Sequence, residues 1–258
     1  MQILMVGDVV AGPGRRFLQK NLPGFKRFNG VDLCIVNGEN AADGNGLTPA
    51  AVEELFAAGA DVITTGNHVY RRAEVYDLLE REPYLVRPAN FPAGNPGKGY
   101  CIVDKGAYLA AVVNLAGITG MDYANNPFDC IDAILQELTR QRAKVIVVDF
   151  HAEATSEKRA MGFYLDGKIS VLAGTHTHVQ TSDACVLPKG SGYITDLGMT
   201  GAVQTVLGVD PDIVIRKFKT NLPARFHTPD GECDMEGCLF DVDEKTGLCR
   251  SAQSVRIV

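Results

Sequence analysis

Short runs of valine, isoleucine and leucine that are apolar at almost every position, paired with helix-like stretches, constrain this chain more than any other feature. ILMVGD is followed by GRRFLQKNL, LCIVNGEN by TPAAVEELFAAG, VITTGNH by RRAEVYDLLER, and FDCIDAILQELTRQR leads into KVIVVDFHAE. A strand with one wet face alternates apolar and polar residues. A strand that is apolar throughout must be covered on both faces, as happens when helices flank a sheet. Helix signals agree: Thr48 before Pro49 marks a start, and Ala51, Val52 and Leu55 follow at helical spacing. Ile131, Ile134, Leu135 and Leu138 form one apolar stripe within 127–142. From about residue 183 the texture changes to short strands separated by glycine and proline, with one helical candidate, PDIVIRKFKTN. No linker or fixed-period repeat interrupts the 258 residues, so one α/β domain over 1–258 with a mixed sheet system is expected.

Composition narrows the function classes. A hydrophobic content of 46% suits a sizeable core. The net charge of −6, without a basic run, argues against stable nucleic-acid binding, while a local positive site for a small anion stays open. MQILMVGDVV lacks the basic start of a signal peptide and the length of a membrane span. Seven cysteines without a CxxC pair read as reduced thiols, so a cytoplasmic protein is expected. Cys233 and Cys238 lie close in sequence but have no further zinc ligands beside them. The sequence leaves room for a homo-oligomer.

The strand ends carry the chemistry. ILMVGD ends in Asp8, LCIVNGEN in Glu39 and Asn40, VITTGNH in Asn67 and His68, VIVVDFHAE runs through His151, and SVLAGTHTHVQT presents His176 and His178. Side chains alternate along an extended chain, so His176 and His178 are expected on one face. Five apolar strands finish in metal-capable side chains, and ligands of open α/β sheets bind beyond the carboxyl ends of strands. Each ending has a bland alternative: Gly-Asp is usually a capped turn, and Gly-Asn-His can be a turn with a surface histidine. The five share one topological position, which those alternatives do not explain together. Other chemistries fit worse. GPGRR is not a P-loop, GDVVAGPG is not GxGxxG, and no GxSxG occurs. Histidine, carboxylate and amide donors suit first-row divalent ions.

Together MVGDVVAGPGRR, NGEN, TTGNH, DFHAEATSEK and GTHTHVQT resemble, in order, the motifs of the YmdB-like branch of the calcineurin-like metallophosphoesterases. The resemblance implies a four-layer α-β-β-α sandwich of two mixed sheets flanked by helices, with two metal ions at the strand ends. It implies phosphodiesterase activity on 2′,3′-cyclic or 3′,5′-cyclic nucleotides. Asp8, Glu39, Asn40 and His178 would hold one ion, and Glu39, Asn67, His151 and His176 the other, with Glu39 bridging. His68 would be the general acid. Iron is the first expectation, with manganese or zinc as alternatives. The wider superfamily usually begins Asp-x-His and bridges with aspartate, whereas Val9 and Val10 follow Asp8 here and the bridge falls on Glu39.

The charge balance is coherent with this assignment. Two divalent ions, two carboxylates and one hydroxide leave about +1 for a phosphodiester anion, and a metal lowers the pKa of bound water from 15.7 to roughly 7–9. A phosphomonoesterase on the same site, or a nucleotide-sensing regulator with negligible turnover, are the other readings. Arg15 and Arg16 stay unassigned, fitting a phosphate contact or a cap on the first helix.

Overall fold

In the computed structural model, which describes residues 1–258, the apolar runs assemble into two mixed sheets. The first contains β1 (Gln2–Val6), β2 (Asp8–Val9), β3 (Val31–Asn37) and β4 (Val62–Thr64). The second contains β5 (Tyr100–Asp104), β6 (Leu109–Ala116), β7 (Val145–His151), β8 (Val171–Thr175), β9 (Cys185–Val186) and β10 (Gly192–Ile194), in the order β5-β6-β7-β8-β10-β9. The chain then returns to the first sheet with β11 (Met199–Ala202), β12 (Cys233–Val242) and β13 (Cys249–Ile257). That sheet runs β2-β11-β12-β1-β3-β4, with β13 paired to β12. Each sheet has a run of parallel strands: β1, β3 and β4 in one, β6, β7, β8 and β10 in the other.

Helices α1 (Ala11–Asn29), α2 (Pro49–Ala58) and α3 (Tyr76–Arg81) cover the outer face of the first sheet; α4 (Pro127–Arg140) and α5 (Thr155–Leu165) cover the second. A further helix, α6 (Pro211–Thr220), follows β11. The inner strands are apolar at almost every position because each feeds two cores. Along β1, Leu4 and Val6 pack outward with Leu18 and Leu22 of α1, while Ile3 and Met5 face the second sheet. Along β7, Val145 and Val147 face inward, and Val148 and Phe150 meet α4 and α5. Full burial of each such side chain is worth about 1.5–3 kcal/mol. The result is a four-layer α-β-β-α sandwich, as the resemblance implies.

Thr48 caps α2 by accepting from Ala51 N–H at 3.1 Å, with Pro49 in the first turn. Three elements carried no decisive signal in the sequence. Strands β5 and β6 are two of them, the latter an alanine-rich run, LAAVVNLA. Helix α5 buries Glu157, Lys158 and Gly162, so it lacks an apolar stripe. No helix is long and apolar enough to cross a membrane, and all seven cysteines are unpaired.

Candidate metal centre

The parallel strands of both sheets end at one edge, and the eight singled-out residues meet there. Asp8, Glu39 and His151 are fully buried and Asn40 is 5% exposed; Asn67, His68, His176 and His178 are partly exposed. Asp8 opens β2, Glu39 and Asn40 follow β3, Asn67 and His68 follow β4, and His151 ends β7. The contacts across the sheets are direct. His151 Nε2 lies 3.1 Å from Asn67 Oδ1, 3.1 Å from His176 Nδ1 and 3.6 Å from Glu39 Oε1. His178 Nε2 lies 3.0 Å from Asn40 Nδ2 and 3.5 Å from Asp8 Oδ1. Gly66 leaves the space for this approach, because a β-carbon there would collide with the His151 ring.

One expectation fails. His176 and His178 are not presented by an extended strand, since β8 stops at Thr175 and both histidines have left-handed backbones, φ 96° and 61°. Such conformations cost of order 1–3 kcal/mol each outside glycine, and surrounding bonds hold them. His176 N–H donates to Asp8 Oδ2 at 3.1 Å. Between the histidines, Thr177 donates to Asp196 Oδ2 through its N–H at 3.1 Å and its hydroxyl at 2.6 Å. Asp196 is in turn paired at 2.6 Å with Lys158, both side chains fully buried. The two imidazoles therefore diverge: His176 reaches His151 and Glu153, and His178 reaches Asp8.

Hydrogen bonding assigns the ring protons. Thr175 donates its hydroxyl to Asp149 Oδ1 at 2.7 Å, so at 2.9 Å it can only accept from His151 Nδ1–H. His176 Nε2 sits 3.1 Å from the Glu153 carboxylate and therefore carries the proton. His178 donates Nδ1–H to the Leu207 carbonyl at 3.1 Å. Two nitrogens are left as bare lone pairs: His151 Nε2 and His176 Nδ1. His151 Nε2 thus faces two other acceptors, His176 Nδ1 and Asn67 Oδ1, each at 3.1 Å. Glu39 Oε2 is buried with no hydrogen-bond partner at all. Acceptors crowded this way repel one another, and a cation is the group that reconciles them.

For His151 and His176 the protonation equilibria point the same way. Burial lowers His151 well below the usual imidazole range and also lowers His176, which keeps both neutral as metal ligands must be. Burial, reinforced by Asp8, raises Glu39 well above the carboxylate range despite an N–H from His68. Asp8 and His178 behave differently: burial acts against the charge on each, but their pairing outweighs it, holding the carboxyl well below its usual range and raising the imidazole above its own. Histidine, cysteine and acidic side chains form no group of three arranged for a metal by themselves. The amides of Asn40 and Asn67 stand within the same cluster.

Asp149 supports the cluster from beneath. It accepts from Asn37 Nδ2 at 2.9 Å and from the Thr64 and Thr175 hydroxyls, yet burial pushes its pKa up to about 7. A carboxyl raised in the folded state holds a proton that the unfolded chain releases, so its contribution falls as pH rises from about 4 to about 7. Asp149→Asn removes that dependence. Denaturant titrations of metal-free protein should show the variant gaining on the native chain by a few kcal/mol across that interval. Parallel pH curves would contradict the assignment.

Arg15 bonds Glu54 at 2.6 Å and the Ala41 carbonyl, bracing the loop after Asn40, and Arg16 pairs with exposed Asp230. Neither lines the cleft beside the donors, so the phosphate contact fits neither. His227, which no strand end foreshadows, does line that cleft.

Two layers of helix around two mixed sheets, with donors at the strand ends, make this the calcineurin-like phosphoesterase fold. The model of the YmdB-like protein family matches residues 4–255. The chain belongs to that family. It is 47% identical over 246 residues to the 2′,3′-cyclic-nucleotide 2′-phosphodiesterase of Bacillus subtilis, covering 95% of this chain and 93% of that one. A crystal structure of a hypothetical protein from Thermus thermophilus superposes with a TM-score of 0.93 at 38% identity, covering 100% of this chain and 99% of that one. A novel phosphatase from Mycoplasma pneumoniae superposes with a TM-score of 0.94 at 33% identity, covering 100% and 93%.

Proposed function

We propose that the chain is a metal-dependent phosphodiesterase that hydrolyses cyclic nucleotides, with 2′,3′-cyclic phosphates as the first substrate class. The observation that carries this is the crowd of unprotonated donors around His151 Nε2, beside a basic cleft, in a chain similar to a cyclic-nucleotide phosphodiesterase. Asp8, Glu39, Asn40 and His178 would hold one ion, and Glu39, Asn67, His151 and His176 the second, with Glu39 shared. These nitrogen and oxygen donors suit iron, manganese or zinc. Two such ions supply a nucleophile at neutral pH and charge stabilisation at the phosphoryl group.

The remaining work falls to this chain's side chains. His68 lies outside the two donor sets and lines the cleft. Its Nδ1 donates to Asn40 Oδ1 at 3.1 Å, and its backbone N–H donates to Glu39 Oε1 at 2.5 Å. The ring is thereby oriented so that Nε2, protonated only when the ring is an imidazolium, is the atom that would deliver a proton to the leaving alkoxide. In the free protein burial, helped by Arg71, pushes its pKa down to about 4, so the ring is neutral at pH 7. The negative charge of the incoming phosphodiester acts in the opposite direction and favours the imidazolium.

The test is turnover by metal-loaded protein of adenosine 2′,3′-cyclic phosphate, bis-p-nitrophenyl phosphate and p-nitrophenyl phosphate. The two diesters should be hydrolysed with a kcat/KM at least about tenfold above the monoester. Preference for the monoester would make the protein a phosphomonoesterase, and no turnover with any of the metals would overturn the enzymatic reading.

A further inference from the structure

Beside the donor cluster lies a cleft of about 520 Å³, within the ~300–1,000 Å³ range of small-ligand sites. One side of it is built from His68 and His178, and another from Ala224–Thr228, an irregular segment between α6 and β12. A ligand whose phosphate sits at the donors therefore has its remainder directed along residues 224–228. The charge of the lining is distinctive. Arg71, Arg72 and Arg225 oppose a single acid, Asp43, in a chain whose net charge is −6. Arg72 is committed to Asp43 at 3.2 Å and to the Asn45 carbonyl at 3.2 Å. Arg225 is exposed, and Arg71 has only a 3.6 Å contact to exposed Asp122. Among these cations stands one aromatic ring. Phe226 is 48% exposed and lines the cleft, while Lys217 Nζ sits 4.6 Å from its centroid. A basic surface carrying an oriented, half-open aromatic ring fits a ligand that is both anionic and aromatic.

We propose that this cleft seats the nucleoside part of the substrate and that Phe226 is the platform on which the base stacks. The proposal rests on the phosphodiesterase function above and adds a specificity-determining residue to it. Stacking requires only a π-face, so Phe226 favours nucleotides over base-free esters without selecting one base strictly.

The experiment compares adenosine 2′,3′-cyclic phosphate with methyl riboside 2′,3′-cyclic phosphate, which keeps the cyclic ester and lacks the base. Full-length, metal-loaded protein is used, and metal content and melting temperature are checked for each variant. Phe226→Ala should lower the nucleotide-to-riboside ratio of kcat/KM by about tenfold or more, chiefly through KM for the nucleotide. Phe226→Tyr should restore it, and Phe226→Leu, which keeps bulk without a π-face, should not. An unchanged ratio in Phe226→Ala would overturn the proposal while leaving the phosphodiesterase function intact. So would a change in oligomeric state by light scattering, since exposed Ile215, Phe218 and Leu222 nearby would then extend through Phe226 as a contact between chains. Turnover of neither ester by the native protein would overturn both.

Discussion

Glu39→Gln is expected to strip the protein of most of its metal, whereas Asn40→Ala is expected to weaken one ion only. Glu39 is fully buried, burial raises its pKa, and its Oε2 atom meets no donor of the protein. An unpaired buried carboxylate oxygen is costly, and the compensating charge has to come from cations. Glutamine keeps the shape and removes the charge that Glu39 is proposed to share between two ions. Asn40 contributes one neutral amide, already bonded to His68 and close to His178. Elemental analysis of the two variants, purified side by side, checks this. Near-full occupancy in Glu39→Gln would remove Glu39 as the shared ligand.

His68→Ala should separate proton delivery from metal binding. The side chain touches Asn40 and lies 3.4 Å from Glu39 but belongs to neither proposed donor set, so metal content should hold. Loss of a positioned acid typically costs 10²–10⁴-fold, and turnover of the cyclic nucleotide should fall by about two orders of magnitude or more. A p-nitrophenolate leaving group needs little protonation, so bis-p-nitrophenyl phosphate should lose distinctly less. Both substrates are assayed on one metal-loaded preparation. Equal losses, or loss of an ion, would make His68 a ligand or a positioning residue.

Much of this cluster is legible in the sequence because strand ends are fixed points of an α/β sheet. Once ILMVGD, LCIVNGEN, VITTGNH and VIVVDFHAE are strands buried on both faces, their endings must converge on one edge. What pattern alone could not supply is the local geometry of GTHTH. Alternation presumes an extended backbone, and here Asp196 and Lys158, far away in sequence, draw Thr177 into a bend that turns the two histidines apart. The support from Asp149 and Thr175 was equally hidden, since a polar residue inside an apolar strand has no periodic signature. Phe226 and His227 lie in an irregular segment whose position depends on tertiary contacts, such as Asp210 N–H to the His227 carbonyl at 3.0 Å. No motif announces such a wall. Four histidines were legible by position in the fold; the fifth required the cleft.

These donors are proposed to bind two ions, and metal content of the native protein purified without added metal tests that binding most directly. Elemental analysis should find about two equivalents of first-row metal per chain, with iron, manganese and zinc summed. Fewer than about half an equivalent, persisting after metal supplementation during growth, would contradict it.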